Sequence, residues 1–488
     1  SGFPGGSAAL RPQAPFQGRK WYHDPLARVL PRQIVMFSRR DIALLVAAVA
    51  GLAAALGWSL TRTALPRADF TFCNGTEVKS LDPALVTGQP EGRLAYALFE
   101  GLVRWHPRTL EPLPSGARRW EISDDRLQFT FFLQPDAKWS DGSPVTAGDY
   151  AYSLRRFLDP RTAAEYAFQA WYLKNGKRYS EAAAALRPGD QVEVELNLTT
   201  DASNAVRGEV LRGKLVQIED GRGEILDAER LAELAERENV DRQRWTYAVE
   251  IDGRTERFRY ADDSTAAAKP PSRGARWCRQ ILIDFRDVGV EVLDDLTLRL
   301  TLENPTSYFL SLLGFYPLFP VNQACVERHG SPQWTYAENM VANGPYRQLF
   351  RRYRDRTRLI RSETYWDRDN VALETVDVLA VDSIYTALNL YLTGEADWIH
   401  EAPPNALRVM LEEAPPRDDL NPAPMLNTYF YLLNVRREPL DDVRVRRALS
   451  MAIDREEICT KILAVGEQPA LTLVPPGLPG YDPPETPG

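Results

Sequence analysis

The sequence predicts an α/β protein of two or three domains that follows one transmembrane helix. Three observations support this class. With 488 residues the chain is too long for a single compact core. Segments in which polar and apolar residues alternate, as they do in half-buried strands, are interspersed with segments of helical periodicity. Positions 41–60 form a nearly all-apolar run, which is long enough to span a bilayer.

Composition and charge argue against several classes of function. The net charge of −8 gives the chain no general attraction to nucleic acid or to anionic lipid. The cysteines are widely spaced without a C-x-x-C pair, which argues against a zinc site or a thioredoxin-type redox motif, and the histidines are equally dispersed. We therefore expect no metal site, no cofactor and no nucleic-acid partner. The residues concerned are Cys73, Cys278, Cys325 and Cys459, and His23, His106, His329 and His400.

The apolar run 41–60 has more basic residues before it than after it. Arg39 and Arg40 stand directly in front of it, Arg19, Lys20, Arg28 and Arg32 are among the basic residues upstream, and only Arg62 and Arg67 follow closely. This asymmetry places the N-terminus in the cytoplasm and the chain after about residue 65 outside. We expect residues 1–40 to be a disordered cytoplasmic segment and 41–60 to be an anchor. A cleaved signal, with a loose twin-arginine match, is the alternative.

After the anchor, local patterns predict a strand, a helix and a second strand. The stretch "ADFTFCNGTE" is typical of a strand that enters a turn. The stretch "EGRLAYALFEGLVRW" predicts an amphipathic helix with Leu94, Leu98 and Leu102 on one face, and "LQFTFFLQP" predicts a strand dense in aromatic residues.

The polar segment 136–156, "DAKWSDGSPVTAGDYAYSLRR", is interpreted as a turn followed by a helix. Gly142 supplies the permissive backbone that the turn needs, and Trp139 is expected to pack beneath it. Thr146 is a plausible N-cap, and Asp149 three residues later resembles the acid of a capping box. The acids in this segment are therefore predicted to shape the chain rather than to catalyse a reaction.

Residues 180–285 change character and predict a small β-rich insertion, with a barrel of the SH3 type as one form. Several runs there alternate polar and apolar residues, and the Asp252–Gly253 pair is a hairpin signal between two of them. Acidic and basic residues are mixed, so we expect a solvated surface. From 288 the pattern returns to strand, turn and strand, then a hairpin around "NGPYRQLF", and helices in which Asp454 and Glu457 form a cap.

The order of these segments resembles a known family. "NGTEVKSLDP", "LFEGLVRW", "DAKWSDGSPVTAGDYAYSLRR", "NGPYRQL", "YW" and "DDVRVRRALSMAIDREEI" are similar to the oligopeptide-binding proteins of bacterial ABC importers, in the family that also holds dipeptide and nickel binders. The resemblance implies the two-lobed periplasmic-binding-protein fold with an extra domain. It also implies a non-enzymatic function: an extracytoplasmic protein that captures oligopeptides between closing lobes and delivers them to permease subunits.

The resemblance also implies a layout of domains. Residues 69–99 and 318–426 would form a discontinuous lobe I, and 100–317 would form the extra domain with the 180–285 insertion inside it. Residues 427–488 would begin the second lobe. Because the family continues for a large further lobe, which supplies an acid for the ligand's α-ammonium group, we expect a C-terminally truncated chain or a degenerate protein.

Seven ligand-binding residues follow from the same resemblance. The segment "VTGQPEG" matches the backbone that lines the cleft, "RTAAEYAF" matches an aromatic residue facing the peptide, and "MLNTYFYLLN" matches the strand that crosses the hinge. The residues nominated are Thr87, Gly88, Gln89, Tyr166, Asn427, Thr428 and Tyr429.

Three alternatives stay open at this point. The chain could be a membrane-anchored sensor or scaffold that reuses the binding fold, with the insertion as a partner surface. It could bind a non-peptide ligand such as a nickel chelate, haem or a sugar. A hydrolase is suggested only by Ser140 and Asp141, and no histidine lies in a comparable motif.

Overall fold

The computed structural model describes most of the chain after residue 64. The chain divides into two units after Arg67. Residues 44 and 46–53 are helical. No helix in the described part of the chain is long and apolar enough to cross a membrane. The described residues are 44, 46–53 and 65–483, with gaps at 197–198, 201–205, 208, 236, 238–239, 262–273, 414, 416, 422–424 and 479–480.

The predicted span 41–60 therefore lies largely outside the described residues, and the predicted disordered segment 1–40 lies wholly outside them. Both stay predictions.

The described residues form both strands and helices, with runs of consecutive strands between the helices. The strands are β1 Phe70–Cys73, β2 Val103–Trp105, β3 Pro112–Pro114, β4 Ala117–Ile122, β5 Gln128–Leu133, β6 Gln191–Leu196, β7 Thr199–Thr200, β8 Val206–Arg207, β9 Val210–Glu219, β10 Thr246–Ile251, β11 Arg254–Tyr260, β12 Arg276–Ile283, β13 Val290–Asp294, β14 Thr297–Thr301, β15 Tyr346–Arg352, β16 Arg356–Arg361, β17 Thr375–Leu379 and β18 Trp398–Ile399. The helices are α1 Gln89–Leu98, α2 Ala147–Leu158, α3 Gly176–Ser180, α4 Ala228–Ala235, α5 Phe309–Leu312, α6 Gln323–His329, α7 Ile384–Leu392, α8 Pro404–Leu411, α9 Val443–Met451 and α10 Arg455–Glu457, with a π-helical turn at Ile458–Leu463.

A five-stranded mixed sheet joins two distant parts of the chain. Its order is β15-β16-β17-β1-β18, and β1 runs parallel to both β17 and β18. Helix α1 buries Leu94 and Leu98 in the same apolar cluster as Val376 and Val378 of β17. Because parallel strands end at one edge, the segments that follow β1, β17 and β18 lie side by side there, which is where α/β proteins usually bind ligands.

A four-stranded antiparallel sheet, in the order β13-β14-β5-β4, is covered by α2. Trp139 is 1% exposed in the turn before α2, and Gly142 has a φ of 90°. The backbone N–H of Thr146 donates to the Asp149 carboxylate over 2.8 Å. The turn and the helix start predicted for this segment are confirmed.

Strands β6, β9, β10, β11 and β12 close into a barrel. The predicted Asp252–Gly253 hairpin is confirmed, since both residues have positive φ and connect β10 to β11. Tyr247 and Phe258 fill the barrel core. The buried carboxylate of Glu193 on β6 pairs with Arg155 of α2, which ties the barrel to the neighbouring layer.

Two predicted elements differ from the structure. The helix expected across 91–105 ends at Leu98, because Phe99 is extended and the N–H of Gly344 donates to the Leu98 carbonyl over 2.9 Å. The strand expected within 425–434 does not form. Those residues pair with no strand among the described residues, so their backbone has no ladder to join.

Candidate functional site

The loop Thr87–Gln89 lies at the amino end of α1. Gly88 is the N-cap, and Thr87 and Gln89 are exposed. A Cβ on Gly88 would come within 2.3 Å of the Glu91 carboxylate, so a larger residue there would displace the Glu91 side chain. Just upstream, the buried Asp82 caps a short turn and pairs with Arg156 of α2. The loop is therefore held rigidly while its outer side stays open to solvent.

Two tyrosine hydroxyls fasten this loop. Tyr166 donates to the carbonyl of Thr87 over 3.2 Å, and Tyr316 donates to the carbonyl of Gly88 over 3.3 Å. Burial raises the pKa of Tyr316 to about 12, so its hydroxyl keeps its proton at any physiological pH. The structure thus brings together four of the nominated residues, Thr87, Gly88, Gln89 and Tyr166.

Tyr166 belongs to a continuous row of aromatic rings. Each ring contacts the next, with centroids 4.7 to 6.1 Å apart. Phe168 is 46% exposed at one end, and Trp105 is 36% exposed at the other. We call this row the aromatic surface: Phe168, Tyr166, Phe315, Tyr316, Tyr96 and Trp105. The tyrosine hydroxyls of this row donate to backbone carbonyls, so its exposed rings mainly offer apolar contact area, which suits the binding of apolar groups better than acid–base chemistry.

A second group lies at the carboxyl edge of the five-stranded sheet. Arg93 donates to the backbone oxygen of Asn74 over 3.1 Å and to its side-chain oxygen over 3.0 Å, and it lies 5.6 Å from the Trp398 ring. Trp398 and His400 have ring centroids 6.4 Å apart. Burial, then the charge of Arg93, lowers the pKa of His400, which favours neutral imidazole.

Sequence reasoning missed this second group. One signal was available, since Asn74 and His400 each directly follow a parallel strand of the sheet. Their meeting depends on the pairing of β1 with β18, which join residues more than 300 positions apart. No local pattern predicts that pairing.

Asn427, Thr428 and Tyr429 are not brought to the loop. Tyr429 is 86% exposed and contacts Tyr431 at a ring distance of 5.7 Å. Asn427 bonds to the nearby Met425. Within the described residues, no hydrogen bond or ring contact joins this trio to Tyr166 or to the loop at 87–89.

The residues that suggested a hydrolase serve the turn. The Ser140 hydroxyl accepts the N–H of Ala342 over 3.1 Å. Asp141 accepts the N–H of Ser143 over 2.9 Å and its hydroxyl over 2.6 Å. Both polar groups therefore organise backbone. Among the described residues, no cluster of three or more His, Cys, Asp or Glu could hold a metal ion.

The family model described as "Bacterial extracellular solute-binding proteins, family 5 Middle" matches residues 111–216 and 242–488. The chain belongs to the bacterial extracellular solute-binding proteins of family 5. This is the family that the motifs indicated, and its members are binding proteins rather than enzymes.

Similarity to individual members agrees with this membership. The periplasmic oligopeptide-binding protein OppA of Escherichia coli is 31% identical over 415 residues, 85% of this chain and 56% of that protein. The solved structure of OppA from Burkholderia pseudomallei is 27% identical, with a TM-score of 0.60 over 87% of this chain and 63% of that one. The murein tripeptide binding protein MppA of Escherichia coli is 26% identical, with a TM-score of 0.62 over the same shares.

The chain thus spans about half the length of the curated relatives that it matches. Within that span it has their α/β periplasmic-binding-protein fold. The family match does not cover two parts of the chain, before residue 111 and at 217–241. These parts hold the loop at 87–89 and the segment between β9 and β10.

Proposed function

We propose that this protein is the extracytoplasmic solute-binding component of an ABC transporter. It captures oligopeptides between two closing lobes and delivers them to permease subunits. The observation that carries the proposal is the hydrogen bond from Tyr166 to the carbonyl of Thr87, which joins two separately nominated residues beside the aromatic surface. The names of the relatives, which are oligopeptide and murein tripeptide binders, support the same ligand class.

The chemistry of this site fits a peptide of varied sequence. An extended peptide can pair its backbone with exposed chain, gaining directional hydrogen bonds that do not depend on its side chains. Thr87 and Gln89 are exposed residues at which an extended chain could pair, and the aromatic surface offers sequence-tolerant contact area beside them. In this proposal Asn427, Thr428 and Tyr429 act from the hinge, and affinity depends on contacts formed only when the lobes close.

The proposed layout of domains is the one drawn from the sequence. Residues 69–99 and 318–426 form lobe I, 100–317 form the extra domain, and 427–488 begin the second lobe. The five-stranded sheet supports it, since β1 comes from the first segment while β15 to β18 come from the second. We also propose that 41–60 anchors the protein to the cytoplasmic membrane, which a topology reporter fused after residue 65 would test.

Replacing Tyr166 by alanine tests the site. The change removes the hydroxyl that holds Thr87 and the ring between Phe168 and Phe315. We expect peptide affinity to fall by about tenfold to thirtyfold, since a central aromatic anchor contributes about 1.5–2 kcal/mol. Isothermal titration calorimetry with tri- to pentapeptides measures this.

The matched control is Tyr336→Ala, which removes another partly exposed tyrosine, outside the aromatic surface. It should leave the dissociation constant unchanged. Equal affinities for the wild type and Tyr166→Ala would remove this residue from the site. The absence of heat with any peptide, together with binding of a sugar or metal chelate, would replace the ligand class.

A further inference from the structure

The hairpin of β15 and β16 ends in an arginine-rich turn at the carboxyl edge of the parallel strands in the five-stranded sheet. Arg352 pairs with Arg356 across the hairpin, and Tyr353, Arg354 and Asp355 form the turn. The N–H of Ala380, just after β17, donates to the Asp355 carbonyl over 3.2 Å. β15 is an edge strand, so this turn is open on its outer side. We call residues 352–356 the hairpin tip.

Some arginines of this hairpin hold it to the body of the protein. Arg351 donates to the Glu77 carboxylate over 2.7 Å. Arg356 and Arg358 share the Asp377 carboxylate, at 2.9 and 2.7 Å. Arg358 and Asp377 are both buried, and their side chains are 6% and 2% exposed. These pairs account for the inward-facing charges and fix the hairpin on the sheet.

The arginines on the outer side of the turn, Arg352 and Arg354, are exposed. Within the described part of the chain, Arg352 forms an ion pair only with Asp355, at 3.9 Å, and the Arg352 side chain is 56% exposed. Arg354 forms no ion pair with any described residue and lies 5.4 Å from the Tyr353 ring. Tyr353 itself is 70% exposed. The hairpin tip thus presents an exposed tyrosine between two exposed arginines, of which Arg352 has one long ion pair and Arg354 has none among the described residues.

The backbone at Arg354 has a conformation that is uncommon for a residue other than glycine. Its φ is 57°, in the left-handed region, and three-residue hairpin turns usually place glycine at such a position. An arginine there makes the turn less stable than a glycine would. The backbone N–H of Arg354 donates to the Glu77 carboxylate over 2.8 Å, which holds this conformation from the protein side while the residue stays exposed.

We propose that the hairpin tip docks on an anionic membrane surface, with Arg352 and Arg354 on lipid phosphates and Tyr353 at the headgroup level. Arginine binds phosphate strongly and tyrosine favours the membrane–water interface. A turn of five residues is far smaller than the roughly 800 Å² that a stable protein partner covers on each side. The net charge of −8 repels such a surface overall, so the attraction has to be local.

Hydrogen–deuterium exchange of the full chain on vesicles tests this. The vesicles contain phosphatidylcholine with or without phosphatidylglycerol, so any anchoring by the N-terminal segment is present in both. We expect amides of 349–357 to exchange at least about tenfold more slowly on the anionic vesicles, because each arginine near the surface contributes about fivefold. High salt should abolish the difference.

Two variants separate docking from folding. Arg352→Glu with Arg354→Glu should lose the protection. The control pair, Arg108→Glu with Arg118→Glu, makes the same charge change at exposed arginines that form no ion pair in the described residues, and should retain it. Arg354→Gly should keep or raise the melting temperature while weakening protection about fivefold.

Three results would overturn the proposal. The first is equal exchange on both kinds of vesicle. The second is equal loss of protection in the control pair. The third is protection that appears only when an acidic membrane protein is added, which would assign the hairpin tip to a protein partner.

Discussion

At the scale of single residues, Glu100 shows how this fold accommodates a charge in its core. Its side chain is buried and accepts hydrogen bonds from the Ser115 hydroxyl at 2.7 Å, the Tyr365 hydroxyl at 2.9 Å and the Trp366 indole at 2.7 Å. Burial raises the pKa of Glu100, and those donors offset only part of the rise. These four residues link the segment after α1 to the segment after β16.

This raised pKa predicts the direction of a pH effect. The folded state binds the Glu100 proton more tightly than the unfolded state does, so the contribution of Glu100 to stability is complete below the ordinary carboxyl pKa. It is lost as the pH rises through the raised pKa. Glu100→Gln should remove that loss, because the amide NH₂ can donate to Ser115 and Tyr365 while its oxygen accepts from Trp366.

Urea unfolding across a pH series measures the effect. The stability difference between Glu100→Gln and the wild type should shift in favour of the variant as the pH rises. Glu121→Gln, at an exposed carboxylate, serves as the control. Parallel curves for the wild type and Glu100→Gln would show that the raised pKa is wrong.

At the scale of elements, the pairing of β16 with β17 is stabilised by a buried ionic contact. Arg358 lies opposite Asp377 and donates two hydrogen bonds to it, at 2.7 and 2.8 Å. The carboxylate also accepts from Arg356. Taking such charges out of water is costly, and only good geometry compensates for it. The pair therefore matters for stability mainly because either charge, buried without its partner, would destabilise the folded state.

Asp377→Ala should destabilise the protein by about 3–5 kcal/mol, because it leaves the Arg358 charge buried without its carboxylate. Chemical denaturation measures this. Glu233 offers a matched control, since it also pairs with two arginines, Arg230 and Arg237, but on the surface. Glu233→Ala should change stability little. Similar losses in both variants would contradict this role of burial.

Local chemistry predicted local structure well. Thr146 and Asp149 start α2, Gly142 turns the chain before it, and Asp252–Gly253 closes a hairpin, as expected. Each of these features depends on residues only a few positions apart, where cap and turn preferences are strong. The elements that were wrong, the longer helix across 91–105 and the strand within 425–434, are those whose ends depend on distant partners.

The candidate site was predictable only through resemblance. Thr87 and Tyr166 are 79 positions apart, and the contact of Arg93 with Trp398 crosses about 300. Neither pair has a spacing that a helix or strand would produce. The similarity to the family nominated Thr87 and Tyr166, because each lies in a segment that matches a motif of the family. The contact of Arg93 with Trp398 depends on the pairing of β1 with β18, which only the structure shows.

At the scale of the whole molecule, the central claim is that a binding protein of family 5 captures peptides at the site built around Thr87 and Tyr166. The closed barrel between β6 and β12 and the hairpin tip are surfaces beyond that site. The claim about the ligand is therefore tested best by identifying what the protein carries.

Native mass spectrometry of the protein, purified without denaturation, provides that test. Backbone recognition predicts a heterogeneous set of adducts whose masses and fragmentation match short peptides of varied sequence. Tyr166→Ala should carry fewer of them than Tyr336→Ala. A single adduct with the mass of a sugar, haem or a metal chelate, carried equally by both variants, would contradict the account.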